Sequence, residues 1–95
     1  MKKIKKMCLC EGRHEIPGAE DGAIFGNFLN PLDIEGMRET VSGKLADVKC
    51  LNLYVTGLTV ALVEVINFCH ANGVRLTLWH FDRETGGYYP QEVFY

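Results

Sequence analysis

No long apolar run occurs in this sequence. The longest, Val60–Ile66, contains Glu64 and falls well short of the roughly 20 residues that a membrane span needs. The apolar stretch behind the first lysines is too short for the h-region of a secretion signal. The expectation is therefore a cytoplasmic protein with no membrane role. An excess of positive charge is missing too. Ten Lys and Arg stand against twelve Asp and Glu, for a net charge of -2. Salt-driven binding to duplex nucleic acid needs a basic face, so no duplex partner is expected. The one basic run, Lys2, Lys3, Lys5 and Lys6, reads as a solvated, flexible arm over residues 1–6. There are four cysteines, but no second Cys/His pair of zinc-finger spacing follows the first. Cys8, Cys10 and His14 would be the one candidate metal set, and no metal or cofactor is expected. Cys8 and Cys10 lie two apart on an expected strand, pointing the same way and badly placed to pair. Cys50 and Cys69 have apolar neighbours. All four read as reduced, mostly buried thiols. Internal repeats and low-complexity segments are also absent.

What is present fits one globular domain over residues 1–95. A chain of this length buries roughly 60–65% of its unfolded surface. That leaves one core with little to spare, so self-association is a reasonable expectation.

The clearest unit is a βαβ stretch over residues 51–80. Leu51–Thr56 alternates like a strand, and Val74–His80 alternates again. Between them, Thr56-Gly57-Leu58-Thr59 breaks the first strand, with Thr59 as the expected helix cap. Val60–Ala71 is then apolar almost throughout. Its polar exceptions, Glu64, Asn67 and His70, form one narrow stripe. Gly73 is placed for a left-handed stop. The helical crossover makes the two strands parallel.

An earlier strand is expected at Lys6–Cys10, followed by a long loop over residues 11–30. Asn30-Pro31-Leu32-Asp33 looks like a helix entry, with the helix running to about Thr40 or Val41. After the turn signal at Arg83–Gly87, Tyr88–Tyr95 reads as a last, antiparallel strand. Pro90 confines it to an edge, because proline donates nothing to a ladder. The expected fold class is α/β: a mostly parallel sheet of about four strands, with a βαβ core and an antiparallel C-terminal edge strand.

Parallel α/β sheets bind ligands outside the carboxyl ends of their strands. That edge should gather Gly12, Arg13 and His14 from the first strand, Thr56, Gly57, Leu58 and Thr59 from the second, and His80 and Asp82 from the third. The helix start offers unpaired amides and a dipole to an anion. Gly57 lets the backbone approach, and Arg13 could grip a phosphate through its planar fork. Each element also has a plainer reading. Thr56-Gly57-Leu58-Thr59 lacks the lysine and glycine spacing of a P-loop and is a sufficient strand-to-helix turn by itself. Arg13 and His14 suit any exposed loop. His80 shares its alternating set with Leu76 and Leu78, as a half-buried structural histidine would. Trp79 and the Tyr88–Tyr89 pair suit core packing better than base stacking. The case rests on convergence at one edge.

Arg13-His14-x-x-Pro17-Gly18-Ala19, then Asn30-Pro31-Leu32-Asp33, a strand ending in Thr56-Gly57, an apolar helix, Gly73 and a strand running to Trp79-His80 together resemble small CRISPR-associated, ring-nuclease-like proteins. The likeness runs from about Met7 to Asp82. In this chain Glu15 and Ile16 separate residues that are contiguous in that family. The small size also resembles proteins of phages and mobile elements in gut Firmicutes. The resemblance implies a Rossmann-like layout and a cyclic nucleotide or cyclic oligonucleotide as ligand, in bacterial or phage defence. If it extends to catalysis, it implies metal-independent phosphodiester cleavage with His14 or His80 as base and Arg13 stabilising charge. The alternative from another class is a non-catalytic interaction protein. A third reading is a metal- or redox-active protein using Cys8 and Cys10. In either of the first two a homodimer is expected, since the Val60–Ala71 helix is too apolar to leave a normal solvated face.

Overall fold

Residues 3–12, 16–26 and 30–94 are described in a computed structural model of the chain. They form an α/β fold in the order β1 (Ile4–Cys10), β2 (Ala23–Phe25), α1 (Ile34–Lys44), β3 (Cys50–Tyr54), α2 (Thr59–Asn72), β4 (Arg75–Asp82) and β5 (Gly87–Phe94). One mixed sheet of five strands has the order β2-β1-β3-β4-β5. The first four strands are mutually parallel, and β5 returns antiparallel along β4.

Period-two alternation decides the two faces of the sheet. Met7 and Leu9, Leu51 and Leu53, and Leu76 and Leu78 all point to one side and are buried. Met37 and Val41 of α1 and Ala61, Val65 and Cys69 of α2 close over them in a single core. Both helices lie on this face and pack against each other. The opposite face carries the alternate residues Cys8, Asn52, Tyr54, Thr77 and Trp79, which are half-buried. There Gly18 lies so close to Tyr54 that a side chain on it would strike the hydroxyl.

Several boundaries differ from the expectation. A fifth strand, β2, lies inside the stretch read as loop. β1 starts at Ile4, so residues 4–6 belong to the sheet and not to an arm. Helix α1 runs on through Gly43 to Lys44. The βαβ unit is confirmed, including the left-handed stop at Gly73 (φ 67°). Glu64 is not part of a solvated stripe. It is buried, and its Oε1 accepts from Arg38 Nε at 2.8 Å, which ties α2 to α1. No helix among the described residues is long and apolar enough to cross a membrane.

The placement of Pro90 is as its chemistry demands. Val55 N donates to Trp79 O at 3.0 Å, so the polar groups of Trp79 face β3. Trp79 is the register partner of Pro90 on β5. This pair is therefore a non-hydrogen-bonded one, and the proline nitrogen faces the free edge. An outward N–H is missing where another strand would otherwise pair.

Candidate functional site

The strand register brings three chain segments to one edge. Cys8, Tyr54 and Trp79 are neighbours across β1, β3 and β4, so Cys10, Thr56 and Phe81 follow two residues later at the carboxyl ends. From that edge β1 leads left to β2, while β3 leads right to β4. The seam between β1 and β3 is thus a topological switch point, the place where open α/β sheets bind ligands.

The seam is tightly made. Cys10 N donates to Thr56 Oγ1 at 3.0 Å, and the same hydroxyl donates to Cys10 O at 2.8 Å. Thr56 is therefore spent on joining the strand ends. Gly57 follows with φ 82°, and a Cβ there would lie 2.8 Å from Cys10 Sγ. Only glycine meets both the positive φ and the close approach. The next residue, Leu58, is the helix N-cap of α2 (φ -83°, ψ 133°), with no side-chain bond to the first turn and no acid within it. This corrects the expectation that Thr59 is the cap: Thr59 is the first helical residue, exposed at the end of the helix. The first amides of α2 have no side-chain cap, and the helix dipole leaves them partly positive.

On β4, His80 continues the set of Leu76 and Leu78 and lies on the helix-bearing face. Its Nε2 is 2.8 Å from Gln91 Oε1 of β5. Its ring lies 5.4 Å from that of Tyr89, its register partner. Asp82 is occupied as a turn residue. Its carboxylate accepts from Glu84 N at 3.0 Å and from Thr85 Oγ1 at 3.1 Å. Arg13 and His14 lie outside the described residues. Gly12, just before them, is exposed and borders a cleft of about 760 Å³ that also touches Glu11, Phe25, Gly26, Thr40 and Lys44.

The structure thus brings Gly57, Leu58 and Thr59 to the switch point and sets His80 at the same edge, on the side of the sheet that carries α2. Thr56 and Asp82 sit there too, but in structural hydrogen bonds. Tyr89 and Gln91 flank His80; Gln91 was not singled out from the sequence, and Tyr89, read there as better suited to core packing than to base stacking, is instead exposed. Their signal was the hairpin register, which puts residues 89 and 91 on the face of residue 80. The tyrosine pair is split: Tyr88 packs edge-on to Tyr54 on the other face, at 5.0 Å, while Tyr89 stays exposed. Tyr54 also stacks on Trp79 at 5.9 Å, so Trp79 serves packing.

All four cysteines are free. Burial raises the Cys8 thiol above its ordinary pKa and pushes the Cys69 thiol up to about 12, so neither supplies much thiolate near neutral pH. Among the described residues no three His, Cys, Asp or Glu side chains come together as a metal site. His14, needed for the set with Cys8 and Cys10, is outside them. Comparison with protein-family models, curated proteins and solved structures gives no match for this chain.

Proposed function

We propose that this chain binds a small phosphorylated ligand, most specifically a cyclic nucleotide or cyclic oligonucleotide of a defence signal, at the carboxyl edge of its sheet. One observation carries the reading. At the switch point between β1 and β3, the chain enters α2 through a positive-φ glycine and a leucine N-cap that leaves the first-turn amides without a side-chain partner. Such a start accepts phosphate oxygens on backbone N–H groups. The strand order is one that doubly wound sheets also use, although both described helices lie on one face of this sheet.

If the ligand is cleaved, a ribose 2′-hydroxyl is the nucleophile. His80 takes its proton, the oxygen attacks the adjacent phosphorus, and the bond to the 5′-oxygen breaks. The departing oxygen takes up a proton, leaving a 2′,3′-cyclic phosphate. Amides at the α2 start stabilise the added negative charge.

The test is thermal denaturation against a panel of cyclic mono-, di- and oligonucleotides. A ligand at a hundred times its Kd stabilises by about 2.7 kcal/mol, which raises Tm by roughly 10–20 °C in a domain of this size. No shift at millimolar ligand rejects the reading. A second reading, a non-catalytic homodimer, draws on the 45% exposure of Val63 and 40% exposure of Leu58 on α2. Light scattering at micromolar concentration tests it: a mass of twice 10.7 kDa supports assembly, and a monomer mass unchanged on concentration rejects it.

A further inference from the structure

α1 and α2 fill the connections from β2 to β3 and from β3 to β4, and neither described helix packs extensively against β5. On the helix-bearing face, the carboxyl half of the β4–β5 hairpin therefore remains an open shelf. Its surface is set by the register: His80 lies opposite Tyr89, and Leu78 opposite Gln91. The start of α2 leaves β3 at this same edge of the sheet.

The side chains on the shelf are of a particular kind. Tyr89 is 53% exposed, a large planar ring beside the His80 ring rather than inside a core. Gln91 is exposed, and its one hydrogen bond among the described residues joins Oε1 to His80 Nε2. The pair fits an imidazole N–H donating from Nε2 to the amide oxygen. In that tautomer the Gln91 amide nitrogen is left as a donor and His80 Nδ1 as an acceptor. Leu58, 40% exposed at the head of α2, is a nearby apolar surface on the same edge. No Asp, Glu, Lys or Arg side chain belongs to this group. A ring face, a nearby apolar surface, a neutral donor and a neutral acceptor suit a flat, uncharged heterocycle with polar edges. Aromatic side chains stack on the faces of such rings, and amides read their edges.

We infer that the Tyr89–Gln91–His80 shelf is the subsite for a nucleobase, with Tyr89 stacking on its face and Gln91 bonding to its edge. This rests on the phosphate reading of the α2 start, because it takes the base of the same ligand. The two parts remain separable, since each has its own residues and its own probe.

The experiment is an amide-resolved NMR titration of the full chain with inorganic phosphate, adenosine, and the four common nucleoside monophosphates. The expected result is that phosphate moves only the amides of Gly57–Val60. Nucleotides should move these and also those of Tyr89 and Gln91, and adenosine only the latter. Tyr89→Ala should weaken nucleotide binding about tenfold or more and leave phosphate binding unchanged, while Tyr89→Phe keeps the wild-type affinity. Tyr89 is exposed, so these variants keep the fold, and an unchanged spectrum elsewhere verifies that. Nucleotides that move only the phosphate amides, or bind Tyr89→Ala as well as wild type, overturn the base subsite while leaving the phosphate reading intact. Silence with every probe overturns both.

Discussion

The two helices begin in opposite ways. Both start beyond the carboxyl end of a parallel strand, with unpaired donors and a partly positive end. At α1 the chain answers this charge itself. Asp33 is the N-cap, its carboxylate accepts from Gly36 N at 2.9 Å, and Glu35 adds a second acid in the first turn. At α2 the N-cap is Leu58, with neither a side-chain bond nor an acid. The sequence is capable of an ordinary cap and places one at α1. The helix left open is the one at the switch point, where the proposed anion would bind. The proposed phosphate site rests on this difference.

The largest expected effect comes from closing the route into α2. Gly57→Val must adopt a left-handed backbone, at about 1–2 kcal/mol, and press against Cys10, at about 1–3 kcal/mol. We expect a loss of about 3 kcal/mol in urea denaturation, against the wild type. A loss under about 1 kcal/mol would mean that the seam yields easily and that Gly57 does not hold the α2 start in place.

A smaller loss should follow from separating the two helices. Arg38→Ala leaves the buried Glu64 carboxylate without the bond that α1 gives it. Because the arginine side chain is 64% exposed, water replaces part of what is lost, and we expect about 1–2 kcal/mol. In a Glu64→Gln background the same change should cost less, by about 0.5–1 kcal/mol. Equal costs in both backgrounds would show that the pair does not couple the helices.

What was legible in the sequence follows from range. The βαβ unit, the stop at Gly73 and the edge strand with Pro90 are encoded in periodicity and in single residues with fixed backbone demands. β2 was missed because Ala23-Ile24-Phe25 is too short for alternation to register between Gly22 and Gly26. The burial of Glu64 was missed because its partner is 26 residues away and no local pattern announces it. At the candidate site, Gly57 and His80 were visible, one by its chemistry and one by its position at a strand end. Leu58 as a bare cap was not, because Thr59 is the better cap former by side chain and helix starts shift by one residue with the backbone. Gln91 became a site candidate only once the hairpin register paired it with β4, and the same register separated Tyr89 from Tyr88 and from the core packing expected of the pair.

Removing the ordinary cap should cost less again. Asp33→Ala takes away the bond to Gly36 N and should cost about 1 kcal/mol. It also leaves the α1 start almost as bare as that of α2. If bareness alone made an anion site, this variant would gain phosphate binding at α1, visible as NMR shifts at Ile34–Met37. We expect no such gain, because Glu35 remains and α1 does not start at the switch point. Phosphate shifts at α1 would mean that the open start of α2 is nothing special.

The smallest effect on stability, and the sharpest on the comparison, should come from giving α2 the cap that α1 has. Leu58→Asp and Leu58→Ser each supply an oxygen that can accept from the first-turn amides. The cap is worth about 0.5–2 kcal/mol in general. Here the partial burial of Leu58 is lost, so a net gain below about 1 kcal/mol is expected. The two variants should nevertheless differ as ligand binders. Aspartate adds a negative charge that repels an incoming phosphate, whereas serine only competes for an amide that the phosphate can reclaim. Both should melt at or above the wild-type temperature. Phosphate shifts at Gly57–Val60 should disappear in Leu58→Asp and weaken in Leu58→Ser. A stability gain with phosphate binding untouched in both would place any anion elsewhere on the edge. A clear loss of stability in both would show instead that Leu58 is held by packing, and that the missing cap reflects the core rather than a ligand.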